Sequence, residues 1–124
     1  MQTVLLISLG AIVGANLRYF LAQYVAAAVP SSFPYGTLII NVTGSMALGF
    51  FLALTTDRIV LDPRWRLVIA VGFCGGYTTY SSFAYETFAL FEQGRWLSSA
   101  LNVISTNVLC LLAVTAGAVL ARAL

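Results

Sequence analysis

Four long apolar stretches occupy nearly the whole chain and constrain its fold more than any other feature. They cover residues 3–29, 35–56, 65–91 and 96–120. Each has roughly the 20 residues that an α-helix needs to cross a bilayer core of about 30 Å. Backbone polar groups find no water in lipid, so helices are the expected form of each crossing. The pattern predicts an all-α, multi-pass membrane protein with four transmembrane helices per subunit.

The charge content agrees with a membrane location. Only 8% of the 124 residues are charged, whereas a soluble domain carries about 25%. The six cations are all arginines, with no lysine or histidine. A nucleic-acid binder needs a basic patch, so we expect no nucleic-acid partner. Because only short links separate the four stretches, residues 1–124 are predicted to form a single transmembrane domain.

Arginine placement predicts the orientation in the membrane. Four helices put both termini and the loop at 57–66 on one side, and that side holds four of the six arginines. This bias favours a cytoplasmic N-terminus but is small enough to permit insertion both ways. Arg18, inside the first stretch, either snorkels to the interface or ties down the end of a neighbouring helix. No lysine or arginine precedes it, so a cleaved signal peptide is not expected.

Small residues recur four positions apart in three of the stretches. These rows are Gly10 and Gly14, Ser45 and Gly49, and Ala113, Gly117 and Ala121. Such spacing allows close helix contacts in membranes. We interpret the rows as packing surfaces that favour a bundle and an oligomer.

Polar side chains inside the stretches form two stripes whose members lie four residues apart. The stripes are Thr37, Asn41 and Ser45 in the second stretch, and Asn102, Thr106 and Cys110 in the fourth. Residues at this spacing share a helical face. A single asparagine in a membrane helix commonly joins two helices. Two stripes on separate helices also fit a path lined for water or ions, and both interpretations stay open here.

The third stretch contains the segment GFCGGYTTYSSFAYE, residues 72–86, which is rich in glycine and hydroxyl groups. Glycine weakens a helix by about 1 kcal/mol relative to alanine. Three glycines in five positions, followed by Thr78 and Thr79, predict a helix broken in mid-membrane. Carbonyls freed by a break need a cavity, hydroxyls or an ion as partners. Broken helices recur at ion sites in transporters and channels, although a close crossing of two helices would also call for glycine.

Two faces are predicted for the helix that follows the break. Tyr80 and Phe83 lie three residues apart on one face, and Thr79, Ser82 and Glu86 share another. An aromatic face beside a polar face indicates a functional constriction.

Three blocks of the chain resemble the signature blocks of the Fluc (CrcB-type) fluoride channels. They are GAIVGANLRY, GTLIINVTGSMALGF and GFCGGYTTYSSFAYE, and the similarity covers essentially all 124 residues. The resemblance implies an antiparallel, dual-topology homodimer in the bacterial inner membrane. Two pores between the subunits would let fluoride leave the cytoplasm by passive electrodiffusion. A structural sodium ion would sit at the dimer centre.

The resemblance also assigns roles to individual residues. Gly75 and Thr78 match the positions whose carbonyls hold sodium, and Arg18 matches an arginine near the vestibule. Tyr80 and Phe83 match two pore-lining phenylalanines. The polar positions along or beside the path are Thr37, Asn41, Thr79, Ser82, Glu86, Asn102, Thr106 and Cys110.

Two departures from the family pattern affect these assignments. The family usually has phenylalanine where this chain has Tyr80. Its fourth helix usually carries tyrosine, serine and serine or glycine where this chain has Asn102, Thr106 and Cys110. The stripe is kept, but its chemistry is altered.

Other function classes fit less well. A small multidrug-resistance-type exporter would be expected to carry an embedded glutamate in its first helix, and here the only intramembrane candidate is Glu86 in the third. A non-transporting membrane subunit would leave the polar stripes without a task. Catalysis is not expected, because no histidine and no nucleophile–base pair is present. Cys74 and Cys110 give no disulfide or metal signature.

Overall fold

A computed structural model describes all 124 residues as helices joined by short links. Helix α1 spans Gln2–Ala28 and α2 spans Tyr35–Asp57. The third crossing, Arg64–Glu92, consists of α3 over residues 64–77 and α4 over Tyr80–Glu92. Helix α5 spans Trp96–Ala123. All four crossings are long and apolar enough to span a membrane, which confirms the prediction of a four-helix membrane protein.

Burial in this molecule differs from that in a soluble protein. Only 21 of the 124 residues are buried, and large apolar side chains such as Leu9, Phe20 and Leu112 point outward. Six of the buried residues are polar: Thr37, Asn41, Thr79, Ser99, Asn102 and Thr106. A helix that is apolar on its outer surface is stable in lipid but not in water. These buried polar side chains are therefore where a function must be sought.

The small-residue rows bring helix backbones into close contact. A Cβ on Gly10 would overlap the Val68 carbonyl oxygen of α3, and one on Gly117 would overlap the Met46 carbonyl oxygen of α2. Gly14 and Gly49 meet backbone carbonyls of α3 and α5 in the same way. Helices α1 and α3 pack as one pair and α2 and α5 as another. The packing interpretation is confirmed within the subunit for the glycines of these rows.

Polar contacts join the links at each end of the bundle. Arg122 bonds Asp57 at 2.8 Å between Nε and Oδ2, and Arg58 donates to the Arg122 carbonyl. At the opposite end Arg95 donates to the Ser32 hydroxyl. The C-terminus therefore lies at the same end of the bundle as the loop at 57–66, as we assumed when predicting the orientation from the arginines.

The backbone of the third crossing leaves the helical conformation at two threonines. Leu67–Cys74 forms wide π-type turns, and Gly75 is helical with φ −64° and ψ −37°. Thr78 has ψ 159°, and Thr79 has φ −152° and ψ 113°, which are extended conformations. We predicted a break from the three glycines and the two threonines that follow them, and only the threonines are extended. The physical reason is that Gly72 and Gly76 serve close packing, since a Cβ on Gly76 would lie 2.9 Å from the Ala11 carbonyl oxygen.

Candidate functional site

The side chain of Asn41 pairs with the extended backbone of Thr79. Asn41 Nδ2 donates to the Thr79 carbonyl at 3.0 Å, and the Thr79 N–H donates to Asn41 Oδ1 at 2.8 Å. In a continuous helix this N–H would donate to the Gly75 carbonyl four residues earlier. The Asn41 side chain therefore replaces the Gly75 carbonyl as the acceptor of the Thr79 N–H, and the Gly75 carbonyl is left without its usual donor.

Thr79 also begins the following helix. Its hydroxyl oxygen accepts the Ser82 N–H at 3.2 Å, which is an N-cap bond. The Ser82 N–H would otherwise donate to the Thr78 carbonyl. That carbonyl instead accepts Arg18 Nη1 at 3.3 Å. Arg18 was predicted either to snorkel to the interface or to tie down the end of a neighbouring helix. Its contact with the Thr78 carbonyl, just after the end of α3, agrees with the second interpretation. Thr79 was predicted to share a helical face with Ser82 and Glu86, but it lies just outside α4 because its side chain caps that helix.

A second set of α2 residues lies against the end of α3. The hydroxyl groups of Thr43 and Tyr77 lie 2.8 Å apart in a hydrogen bond. A Cβ on Gly44 would overlap the Thr78 side chain and lie 3.0 Å from the Tyr77 ring. The missing side chain at Gly44 therefore lets the extended segment approach α2 closely enough for the Asn41 bonds to form.

The aromatic pair begins α4 with one ring inside and one outside. The Tyr80 and Phe83 ring centroids are 5.4 Å apart, with the planes tilted by 58°. Phe83 is 5% exposed and Tyr80 is 79% exposed. The predicted adjacency of these two rings is present. The Tyr80 hydroxyl has no hydrogen-bond partner in the chain, so it is free to meet another group.

Two of the predicted polar residues meet from different helices. The Thr37 hydroxyl of α2 donates to Glu86 Oε1 of α4 at 2.8 Å. The other carboxylate oxygen, Oε2, is buried and has no hydrogen-bond partner. One free acceptor thus remains in the interior between α2 and α4.

The stripe of α5 divides into two parts. Asn102 is 1% exposed, and its Nδ2 donates to Thr87 Oγ1 of α4 at 2.9 Å. Ser99 adds a bond from its hydroxyl to the Thr87 carbonyl at 3.0 Å. Asn102 therefore joins α5 to α4, while Thr106 and Cys110 line a cavity. Sequence reasoning missed Thr87 and Ser99. The sequence contained a signal for Ser99 alone, which lies one helical turn before Asn102 and so continues the α5 stripe.

Two open cavities lie on either side of the aromatic pair. The larger, about 460 Å³, is bounded by α2, α3, α4 and α5, and the second, about 450 Å³, lies between α4 and α5. Predicted residues that line the larger cavity are Asn41, Gly75, Thr78, Thr79, Tyr80, Phe83, Thr106 and Cys110. Predicted residues outside both linings are Arg18, Thr37, Ser82, Glu86 and Asn102.

No charged side chain lines either cavity. The polar lining consists of hydroxyl groups, amides and backbone carbonyls. Neutral donors solvate an anion without the tight binding that a full cation would impose. The arrangement is suited to the passage of a small ion more than to its capture.

Comparison with known proteins adds an independent finding. Residues 5–118 match the family described as CrcB-like protein, Camphor Resistance (CrcB). The chain is 54% identical over 118 residues to the fluoride-specific ion channel FluC of Koribacter versatilis (strain Ellin345), covering 95% of this chain and 94% of that one. It is 46% identical over 124 residues to the protein of the same name from Sulfurihydrogenibium sp. (strain YO3AOP1), covering both chains completely.

The bonds between Asn41 and Thr79 generate a prediction about stability. Asn41→Leu removes both bonds and leaves buried backbone groups unpaired, which should cost about 1–3 kcal/mol. Asn41→Asp keeps the acceptor but places a carboxylate oxygen against the Thr79 carbonyl, so a loss of similar size is expected. The measurement is the thermal unfolding midpoint of the purified protein in detergent.

Thr115→Val is the matched control for Asn41, because the Thr115 hydroxyl donates only to the Leu111 carbonyl of its own helix. It should leave the unfolding midpoint nearly unchanged. An Asn41→Leu protein as stable as the Thr115→Val protein would show that the extended segment does not depend on the asparagine.

Proposed function

The chain belongs to the CrcB-like family, and from that membership we propose that it is a fluoride channel and not an enzyme. It is a multi-pass bacterial membrane protein, and the membrane we propose is the inner one. Fluoride would leave the cytoplasm passively, down its electrochemical gradient. The observation that carries this proposal is 54% identity, over 95% of the chain, to a protein named as a fluoride-specific channel.

The chemistry of the larger cavity supports anion passage. Fluoride is small and accepts hydrogen bonds strongly, so a pore must replace its water with donors that later release it. Asn41 uses one of its two amide hydrogens on Thr79 and keeps the other. The Thr106 and Tyr80 hydroxyls add neutral donors. Aromatic rings carry a positive edge, so Tyr80 and Phe83 are assigned to coordinate fluoride with their edges.

The remaining polar residues are proposed to extend the path beyond the aromatic pair. Thr37 and Glu86 face each other within hydrogen-bonding distance. Thr79 and Ser82 place their hydroxyl oxygens 3.1 Å apart at the start of α4. The residues proposed to complete the path on α5 are Asn102, Thr106 and Cys110. Arg18 matches an arginine near the vestibule in the family, and we propose that its charge attracts anions from its position beside the Thr78 carbonyl.

We propose that two subunits assemble antiparallel in the bilayer, with the interruption of the third crossing near its midplane. The larger cavity is open in a single subunit, and a second copy would enclose it. The small bias of arginines permits both orientations. Gly75 lines the larger cavity and exposes its bare backbone there, since no other part of the chain comes within 4 Å of the position that a Cβ would occupy.

The carbonyl oxygens of Gly75 and Thr78 are the groups we propose for a structural sodium ion. Both have lost their helical N–H donors, to Asn41 and to the Thr79 hydroxyl respectively. Neutral carbonyl oxygens are suitable ligands for a hard cation. Two carbonyls from each of two subunits would complete the site. The bound ion would supply a fixed positive charge at the subunit interface, and Arg18 would share the Thr78 carbonyl with it.

The first test of the proposed function is ion efflux from liposomes. Vesicles that contain the purified protein should release fluoride rapidly when the membrane potential is clamped, and chloride release should stay at the level of protein-free vesicles. A fluoride-selective electrode gives the rate. Release of fluoride no faster than from protein-free vesicles would reject the channel, and proton-coupled uptake of cationic drugs would favour an exporter.

The aromatic pair provides a second test. Phe83→Ile removes the ring edge and should slow fluoride efflux by about tenfold, which corresponds to a barrier change of about 1.4 kcal/mol. Tyr80→Phe should conduct within about twofold of the unmodified protein if the ring edge is what matters. The measurement is the initial efflux rate at matched dimer density.

Phe51→Ile is the control for the aromatic pair, because Phe51 lies on α2 outside both cavity linings. Unchanged efflux in Phe83→Ile would rule out the model in which ring edges coordinate fluoride. A large loss in Tyr80→Phe alone would transfer the role to the Tyr80 hydroxyl.

Gly75 provides a test of the dimer. Gly75→Val has room within one subunit, so we expect the subunit to keep its helical content but to lose the dimer and fluoride efflux. Circular dichroism measures the helical content, size-exclusion chromatography measures the dimer, and the liposome assay measures the efflux. In contrast, Gly76→Val should destabilise the subunit itself, because its side chain would meet the Ala11 carbonyl of α1. Dimers of normal stability in Gly75→Val would place the interface elsewhere.

A further inference from the structure

We propose that Asn107 of α5 is a third member of the constriction formed by Tyr80 and Phe83, and that its amide contacts the anion there. The inference rests on the proposed channel function and extends it to a residue outside both polar stripes. It concerns the passage between the two cavities, where the conducted ion would be held most closely.

The position of Asn107 follows from the cavity walls. Only three residues line both cavities, and they are Tyr80, Phe83 and Asn107. The two rings belong to α4, whereas Asn107 belongs to α5. The wall between the cavities is therefore built by rings from one helix and an amide from another. An ion that moved directly from one cavity to the other would pass beside these three residues.

The hydrogen-bonding capacity of Asn107 is only partly used. Its Nδ2 donates one hydrogen to the Val103 carbonyl at 2.8 Å. An asparagine amide has two N–H donors and one carbonyl acceptor, so one N–H and the oxygen have no partner in the chain. The side chain is exposed and is anchored by its one bond. A neutral donor held in this way can contact an anion without reorganising.

The constriction otherwise has few polar groups. Phe83 offers only its ring edge, and the Tyr80 hydroxyl is the single polar group that the aromatic pair contributes. A ring edge is a weak partner for an anion that gives up water, whereas an amide N–H is a full hydrogen-bond donor. Asn107 would supply that donor between the two cavities, from a different helix than the rings.

A purely structural explanation of Asn107 makes a different prediction. Asparagine on a membrane helix can satisfy itself by bonding the carbonyl four residues earlier, with no further role. Asn16 of α1 makes the same bond, from Nδ2 to the Ile12 carbonyl at 2.7 Å, and is exposed. It lies in neither cavity lining. Asn16 is therefore the matched control, with equal local bonding and no access to the passage.

The experiment compares Asn107→Leu with Asn16→Leu in fluoride-loaded liposomes at matched dimer density. Asn16→Leu should release fluoride at the unmodified rate. Asn107→Leu should slow the initial rate by about tenfold, the order expected when one hydrogen bond of ordinary strength is lost from a barrier. Asn107→Asp should be at least as slow, because a carboxylate nearly identical in shape repels the anion. Asn16→Asp controls for the introduced charge.

The outcomes separate this inference from the channel function on which it rests. If the unmodified protein does not conduct fluoride, the channel function itself fails. If it conducts and both Asn107 variants match their Asn16 controls, the inference is overturned and Asn107 is merely bonded to its own helix. If Asn107→Leu does not form dimers, Asn107→Asp decides: a rate equal to that of Asn16→Asp overturns the inference, and a slower rate supports it.

Discussion

Two hydrogen bonds between the Asn41 side chain and the Thr79 backbone hold the third crossing out of the helical conformation, and the site depends on them. An extended residue inside a membrane needs a partner for both its N–H and its carbonyl. Asn41 supplies an acceptor at 2.8 Å and a donor at 3.0 Å from a single side chain. Gly44, one turn along α2, makes the close approach possible.

The consequences extend in both directions along the chain. On the N-terminal side, the Gly75 and Thr78 carbonyls lose their helical donors, and Arg18 reaches the second of them from α1. On the C-terminal side, the Thr79 hydroxyl starts α4 afresh. The new helix places Phe83 in the interior and Tyr80 on its outer side. One local departure from helical geometry thus frees two carbonyls from their helical donors and begins a new helix at the aromatic pair, all within a few residues.

The interior contains polar side chains but is nearly free of charge, and this follows from the cost of charge in lipid. An ionisable group inside a membrane is expensive and is kept only with a partner. Arg18 has the Thr78 carbonyl and Glu86 has the Thr37 hydroxyl. Every residue that lines the two cavities is neutral. Weak, neutral contacts are also what rapid conduction of an ion requires.

The sequence by itself determined the four crossings, the small-residue packing rows and the family, because hydropathy, length and spacing are local properties. It also identified the aromatic pair, since residues three apart on a helix meet whatever surrounds them. Only the tertiary structure decided which residues pair across the bundle. Asn41 meets Thr79 across 38 residues and Arg18 meets Thr78 across 60. Such contacts depend on how each helix is rotated about its axis, and close backbone packing at the glycines sets that rotation.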